Sequence, residues 1–201
     1  MRWRTISTAN AVINSEYTLI KNRAKYFPSK SVQDDHSLHE STMLRIFYRR
    51  FMRLRPFVSN RRMVRDTYTD YLRYKFKVEN YELKRSIIFS EPPLVSFREE
   101  LWNSLAFIIK AVSYLPETKQ KKWGLARDNT MCRQVFKNLL TLEFEKQSKI
   151  LRKGQGKDNP YADYRLEFNH IRNPDASPAF KVFGEYDICL LYLNRMLRTR
   201  L

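Results

Sequence analysis

Glycine is scarce in this chain of 201 residues: only four occur, at positions 124, 154, 156 and 184. A β-rich fold needs tight turns, so such scarcity among long amphipathic runs points to helices. Cys132 and Cys189 are too few for a disulfide framework or a four-cysteine zinc site, and each falls in an apolar helical run, where it reads as a buried thiol. No stretch approaches the ~18 uninterrupted apolar residues of a membrane span, and no apolar secretory-signal core stands near the start. Acids are also short. With 21 Asp and Glu against 38 Lys and Arg the formal charge is +17, which implies an anionic partner: nucleic acid, an acidic protein or an anionic membrane surface.

Catalytic signatures are equally thin. There is no dinucleotide fingerprint, Walker loop, HExxH motif or nucleophile elbow. Gly154 and Gly156, before Lys157, follow a helix rather than a strand, so they read as its end and a loop, not a phosphate cradle. His36 and His39, beside Asp34 and Asp35, lie in a polar linker without further convincing ligands, so no metal site is assigned. Asp128, Glu143 and Glu145 have the spacing of solvent-facing helix carboxylates. The expectation is a protein that is not an enzyme and holds no cofactor.

What the chain does have is apolar content, 43%, sufficient for one substantial core. Residues 1–40 read as a basic N-terminal arm and linker. Arg2, Arg4, Lys21, Arg23 and Lys25 lie among hydroxyl residues with Glu16 as the only acid before residue 31; a mitochondrial presequence and a disordered basic arm both fit. The helical domain is expected over 41–201. Ser41 or Thr42 can cap a helix carrying Leu44, Phe47, Tyr48, Phe51 and Leu54, which Pro56 ends. Ser59 or Asn60 can cap a second, with Val64, Tyr68, Leu72 and Phe76 in a stripe and Tyr71 beside it, antiparallel to the first. Leu101, Leu105, Ile108, Ile109 and Val112 mark a third, stopping near Pro116. A fourth runs from about Asp128 to Leu151, with Met131, Val135, Leu139 and Leu142 in line and Phe136 and Leu140 beside it. Tyr161 to Pro178 reads as irregular, FKVF at 180–183 as a short extended piece, and Tyr186 to Leu197 as a last helix. The fold class is therefore mainly α: a single-domain bundle of about five helices with a flexible N-terminal arm.

The segment LRIFYRRFMRLRPFVSNRRMVRDTYTDYLRYKFKVENY, residues 44–81, interleaves arginines with aromatics at helical spacing. Arg45, Arg49 and Arg53 fall four apart and line one stripe beside the apolar face. Like charges so placed destabilise an isolated helix. They fit a solvated face, an anionic protein partner or a nucleic-acid backbone, since guanidinium groups grip carboxylates and phosphates in bidentate fashion. Most of the aromatics lie on inner stripes; Tyr74 and Tyr81 are the ones freer to stack on a base.

Phe47-Tyr48-Arg49 resembles the tripeptide of the mitochondrial LYR family, with phenylalanine in place of leucine, and Leu72-Arg73-Tyr74-Lys75-Phe76 looks like that family's second signature. The resemblance covers residues 43–112. It implies a three-helix core and docking of an acidic acyl carrier protein through Tyr48, Arg49, Arg73 and Phe76, to which the spacing of the stripe adds Arg45 and Arg53 as partner-binding candidates. A second likeness covers most of the chain. FYRRFMRLRPF, DTYTDYLRYKFKVENYELKR, SYLPETK, ARDNTMCRQVFKNLLT, FKVF and the terminal LRTRL are similar to blocks of the budding-yeast increased recombination centers protein family. That likeness implies a non-enzymatic accessory role in mitochondrial DNA maintenance, genome integrity, respiratory growth and sporulation, in the mitochondrial matrix. Direct nucleic-acid binding by the same basic surface is the alternative.

Overall fold

The computed structural model describes residues 6–14, 17–35, 37–113, 128–152 and 178–201. Three short strands come first: β1 (Ile6–Ser7), β2 (Ala11–Ile13) and β3 (Thr18–Ile20). They form an antiparallel meander in which Ile6 pairs with Ile13 and Ala11 with Ile20. A 3-10 turn (Arg23–Tyr26) and a short α1 (Lys30–Asp34) lead to α2 (Glu40–Val58), α3 (Arg62–Lys77), α4 (Tyr81–Ile88), α5 (Phe97–Val112), α6 (Asp128–Arg152) and α7 (Pro178–Leu197). No helix among the described residues is long and apolar enough to cross a membrane.

The core is a closed ring of four helices. α2 packs on α3 and α5, and α6 closes the ring by packing on the same two. The apolar spacing of α5 explains its central place: Leu101, Leu105, Ile108, Ile109 and Val112 are all buried. Ser96 caps this helix by accepting from the Glu99 N–H at 3.2 Å, and Asn80 caps α4 through Leu83 N–H at 3.0 Å. α7 lies outside the ring. There Leu191 and Tyr81 share a small satellite cluster with Ile88 and Phe89 of the α4 segment.

Several expectations are corrected. The arm expected to be flexible is folded over residues 6–14 and 17–20, because Ala11, Ile13 and Ile20 insert into the main core at 2–3% exposure. The uncharged AVI and TLI runs stand between basic residues and are too short for a strand period to register. Arg98 then fastens the former linker by donating to the carbonyls of Val32 and Gln33, at 3.0 and 2.9 Å, at the end of α1. Pro56 does not end α2. It sits in the last turn, where its missing N–H forfeits one helical bond, and burial of Phe57 and Val58 offsets the loss.

FKVF is helical, not extended: Pro178 occupies the first helical position of α7, where no N–H is needed, and Phe183 points inward while Val182 is exposed. A four-residue apolar run fits either structure, and only the length of the surrounding element decides it. On α6, Met131 is exposed while Phe136, Leu139 and Leu140 make the buried face. Cys189 is exposed and Cys132 half-buried. The expectations for His36, Gly154, Gly156 and the stretch from Tyr161 to residue 177 lie outside the described residues.

Candidate functional site

The α2–α3 hairpin is fastened along its length. Near its loop, Arg55 donates to Asp66 at 2.7 Å and to the Thr69 hydroxyl at 2.8 Å. At its centre the buried Tyr68 hydroxyl donates to the Phe51 carbonyl at 2.9 Å. Beyond that, Phe76 touches both Phe51 and Tyr48, with ring centroids 5.5 and 5.7 Å apart. Bulky side chains at four-residue steps, Phe47 and Phe51 on α2 and Tyr68, Leu72 and Phe76 on α3, thus set the hairpin's spacing.

That framework leaves the arginines outside. Arg45, Arg49 and Arg53 are all exposed along α2, and none has an ion-pair partner among the described residues. Between them, Arg50 donates to the Lys25 carbonyl at 3.3 Å, and burial and then Arg53 lower its pKa. The imbalance is local: α2 and α3 together carry ten Lys and Arg against three Asp and Glu. Arg73 is exposed on α3, braced by Asp70 at 3.2 Å. Tyr48 and Phe76 are half-buried, and Lys77 places its ammonium 5.9 Å from the Tyr48 ring centre. The structure therefore puts Arg45, Arg49 and Arg53 on one stripe and joins Tyr48 to Phe76 across the seam. Tyr48 and Phe76 build the platform; the arginines are what a partner can reach.

Sequence reasoning missed a second constellation. Glu79, in the α3–α4 connection, pairs with the Lys75 ammonium at 2.6 Å and accepts from Lys84 at 2.9 Å. On the neighbouring elements Lys146 donates to Asp187 at 2.6 Å and Glu143 at 3.3 Å. Three lysines thus face three carboxylates, all with side chains at most 13% exposed. Burial alone would raise the Glu79 pKa, but the two lysines overrule it and hold it at about 2. Asp187 is likewise lowered, since Lys146 and Lys84 outweigh its burial. Glu143, expected on the surface, belongs here because α7 covers that face of α6. Matched in charge and enclosed, the cluster ties four elements together.

The tail completes this end of the molecule. Leu201 is buried at 2% exposure, and its main-chain oxygen accepts from Lys75 at 2.9 Å and from the Asn194 side chain at 2.9 Å. Arg200 donates to Glu82 at 2.8 Å and lies 4.3 Å from the Tyr81 ring centre. Tyr81 is therefore buried under a cation, and Tyr74 accepts from Lys84 at 2.9 Å. Neither is free to stack on a base, contrary to expectation. His39 caps α2 by accepting from the Ser41 N–H at 3.2 Å, and no group of three potential metal ligands occurs among the described residues.

The sequence profile of the family described as Increased recombination centres protein 19 matches residues 6–201. A protein of Zygosaccharomyces rouxii named Increased recombination centers protein 19 is 54% identical over the full length of both chains. Its namesake in Vanderwaltozyma polyspora is 47% identical, covering 98% of this chain and 96% of its own, and that of Saccharomyces cerevisiae is 44% identical, covering 98% and 97%. No solved structure matches the chain. Strands, helical ring and buried tail all fall within the matched residues, and the chain belongs to the increased recombination centres protein 19 family.

Proposed function

We propose that the protein is a non-enzymatic accessory factor in genome maintenance, including that of mitochondrial DNA, and that it works by docking an acidic protein on the arginine face of the α2–α3 hairpin. The relatives' shared name connects them with recombination centres, which supports the biological setting. The observation that carries the molecular act is the stripe of Arg45, Arg49 and Arg53, exposed and without carboxylate partners among the described residues, on a hairpin rigidified by Tyr48 and Phe76. Rigid presentation lowers the entropic cost of binding, and guanidinium groups match carboxylates geometrically. The matrix acyl carrier protein, suggested by the Phe47-Tyr48-Arg49 and Arg73–Phe76 likenesses, is the specific candidate, and the mitochondrial matrix the corresponding compartment. Sporulation and respiratory growth are the processes in which loss would be felt.

The test is affinity purification from mitochondrial extract. The wild-type chain recovers acyl carrier protein and Arg49→Ala does not; no recovery by the wild type removes that partner. The net charge of +17 favours one second reading, direct binding of a nucleic-acid backbone. Under it, affinity for duplex DNA falls with salt at a log–log slope of about −0.9 per phosphate contact. A flat response at measurable affinity eliminates it.

A further inference from the structure

At the loop end of the hairpin, away from the Tyr48–Phe76 pair, a solvent-open groove of about 470 Å³ runs between the start of α3, the end of α5 and the middle of α6. Val58, Val64, Phe136, Leu140 and Phe144 make an apolar floor, with Met63 at one lip. Met63 is 54% and Phe144 36% exposed, so two large apolar side chains stand in water at a single concave place. Arg61, Arg133 and Lys137 also line it, and no carboxylate does among the described residues.

We propose that this groove docks an acidic amphipathic helix of a partner protein. A phosphate backbone would satisfy Arg61 and Lys137 but leave the floor wet, and an uncharged apolar ligand would leave those two cations unmatched. The positive charges are spread: Arg61 precedes α3, while Arg133 and Lys137 stand one turn apart on α6. Negative charge must therefore be distributed along the ligand, which one lipid headgroup cannot do. The walls are helices without an open strand edge, so a strand could not be added, whereas a helix with apolar anchors at i, i+3, i+4 and i+7 flanked by carboxylates meets floor and rim together. A second copy of this chain is disfavoured by its charge of +17. The inference stands apart from the arginine-stripe reading, since the two surfaces share no residue.

The probe is a fluorescein-labelled peptide of about 18 residues with leucines at helical i, i+3, i+4, i+7 spacing and glutamates on both flanks, tested by anisotropy on the full chain. A scrambled peptide of equal charge serves as control. Met63→Ser with Phe144→Ser, and separately Arg61→Gln with Lys137→Gln, are each expected to weaken binding about tenfold, the scale of losing an interface anchor. Arg49→Gln should leave it unchanged, and bound peptide should slow amide exchange in Val58–Thr67 and Phe136–Phe144. Arg61, Met63, Lys137 and Phe144 are all exposed, and melting curves verify that the variants fold. Equal binding of the scrambled peptide, indifference to the Met63/Phe144 pair, or absence of binding overturns the proposal. If that pair instead lowers duplex-DNA affinity with no effect on the peptide, the groove is a nucleic-acid surface and the proposal fails.

Discussion

Tyr48 of α2 meets Phe76 of α3 edge-on, their ring centroids 5.7 Å apart and their planes at 61°. The contact spans the hairpin seam, so these two half-buried residues help to hold the helices in register. Phe76→Ala is expected to cost about 1–3 kcal/mol, less than a fully enclosed phenylalanine because one side is open. Urea denaturation measures this directly, and a loss below a few tenths would show that the platform is held by Phe51 alone.

The arginine stripe should behave in the opposite way. Replacing Arg45, Arg49 and Arg53 together by Gln removes i, i+4 repulsions worth about 0.2–0.5 kcal/mol each, so stability stays level or rises slightly. Binding of an acidic partner should fall. Thermal melts paired with the purification assay separate the two effects; a destabilised triple variant would mean the guanidinium groups anchor the fold instead.

Glu79 gives the molecule a specific acid sensitivity. Its folded-state pKa is lowered from 4.5 to about 2, so its contribution to stability is fully present above pH 4.5 and is lost as the pH falls toward 2. Glu79→Gln should flatten the stability profile in that window. At neutral pH it should cost about 3 kcal/mol or more, because two buried ammonium groups lose their shared counter-charge. Denaturant titrations at a series of pH values measure both, and an unchanged slope below pH 4.5 would contradict the assignment.

Leu201→Ala is expected to destabilise by about 2–4 kcal/mol, the range for truncating an enclosed leucine. Asn194→Ala should cost a comparable amount, since Asn194 accepts from the Thr199 hydroxyl and Leu201 N–H, both at 2.8 Å, and donates to the Leu201 main-chain oxygen. If the tail were merely laid on the surface, neither change would move the unfolding midpoint.

The N-terminal strands should prove integral. Ile13→Asp inserts a carboxylate where the native side chain is 3% exposed, and the melting temperature should drop sharply, whereas Lys21→Gln at the exposed border should be neutral. Circular dichroism melts on the full chain compare them.

How much of this could be read beforehand depended on the length of each signal. α5 was legible because Leu101, Leu105, Ile108, Ile109 and Val112 repeat at 3.6-residue spacing over three turns. β2 and β3 were not: with three residues each, they are too short for a period to register, and nearby lysines and arginines suggested an arm. Arg45, Arg49 and Arg53 could be placed on one exposed stripe from spacing alone. Glu143 and Lys146 could not be placed inside, because they become buried only when α7, some forty residues later, supplies Asp187. Local spacing reports which residues share a face; it is silent on which distant segment covers that face.

Leu201 in the core has a consequence for biosynthesis. Proteins emerge from the ribosome amino end first, and the earlier helices of this chain can begin to associate while synthesis continues. The native partners of Lys75, Asn103 and Ser104 nevertheless lie at Leu201, Arg198 and Arg200, residues still inside the exit tunnel when those helices are already outside. The four-helix ring can therefore form before its contacts to residues 198–201 exist, and until Leu201 has cleared the ribosome the Lys75 ammonium lacks one of its native acceptors. A chain lacking Arg198 to Leu201 would keep helices α1 to α7 and lose these contacts at Lys75, Asn103 and Ser104.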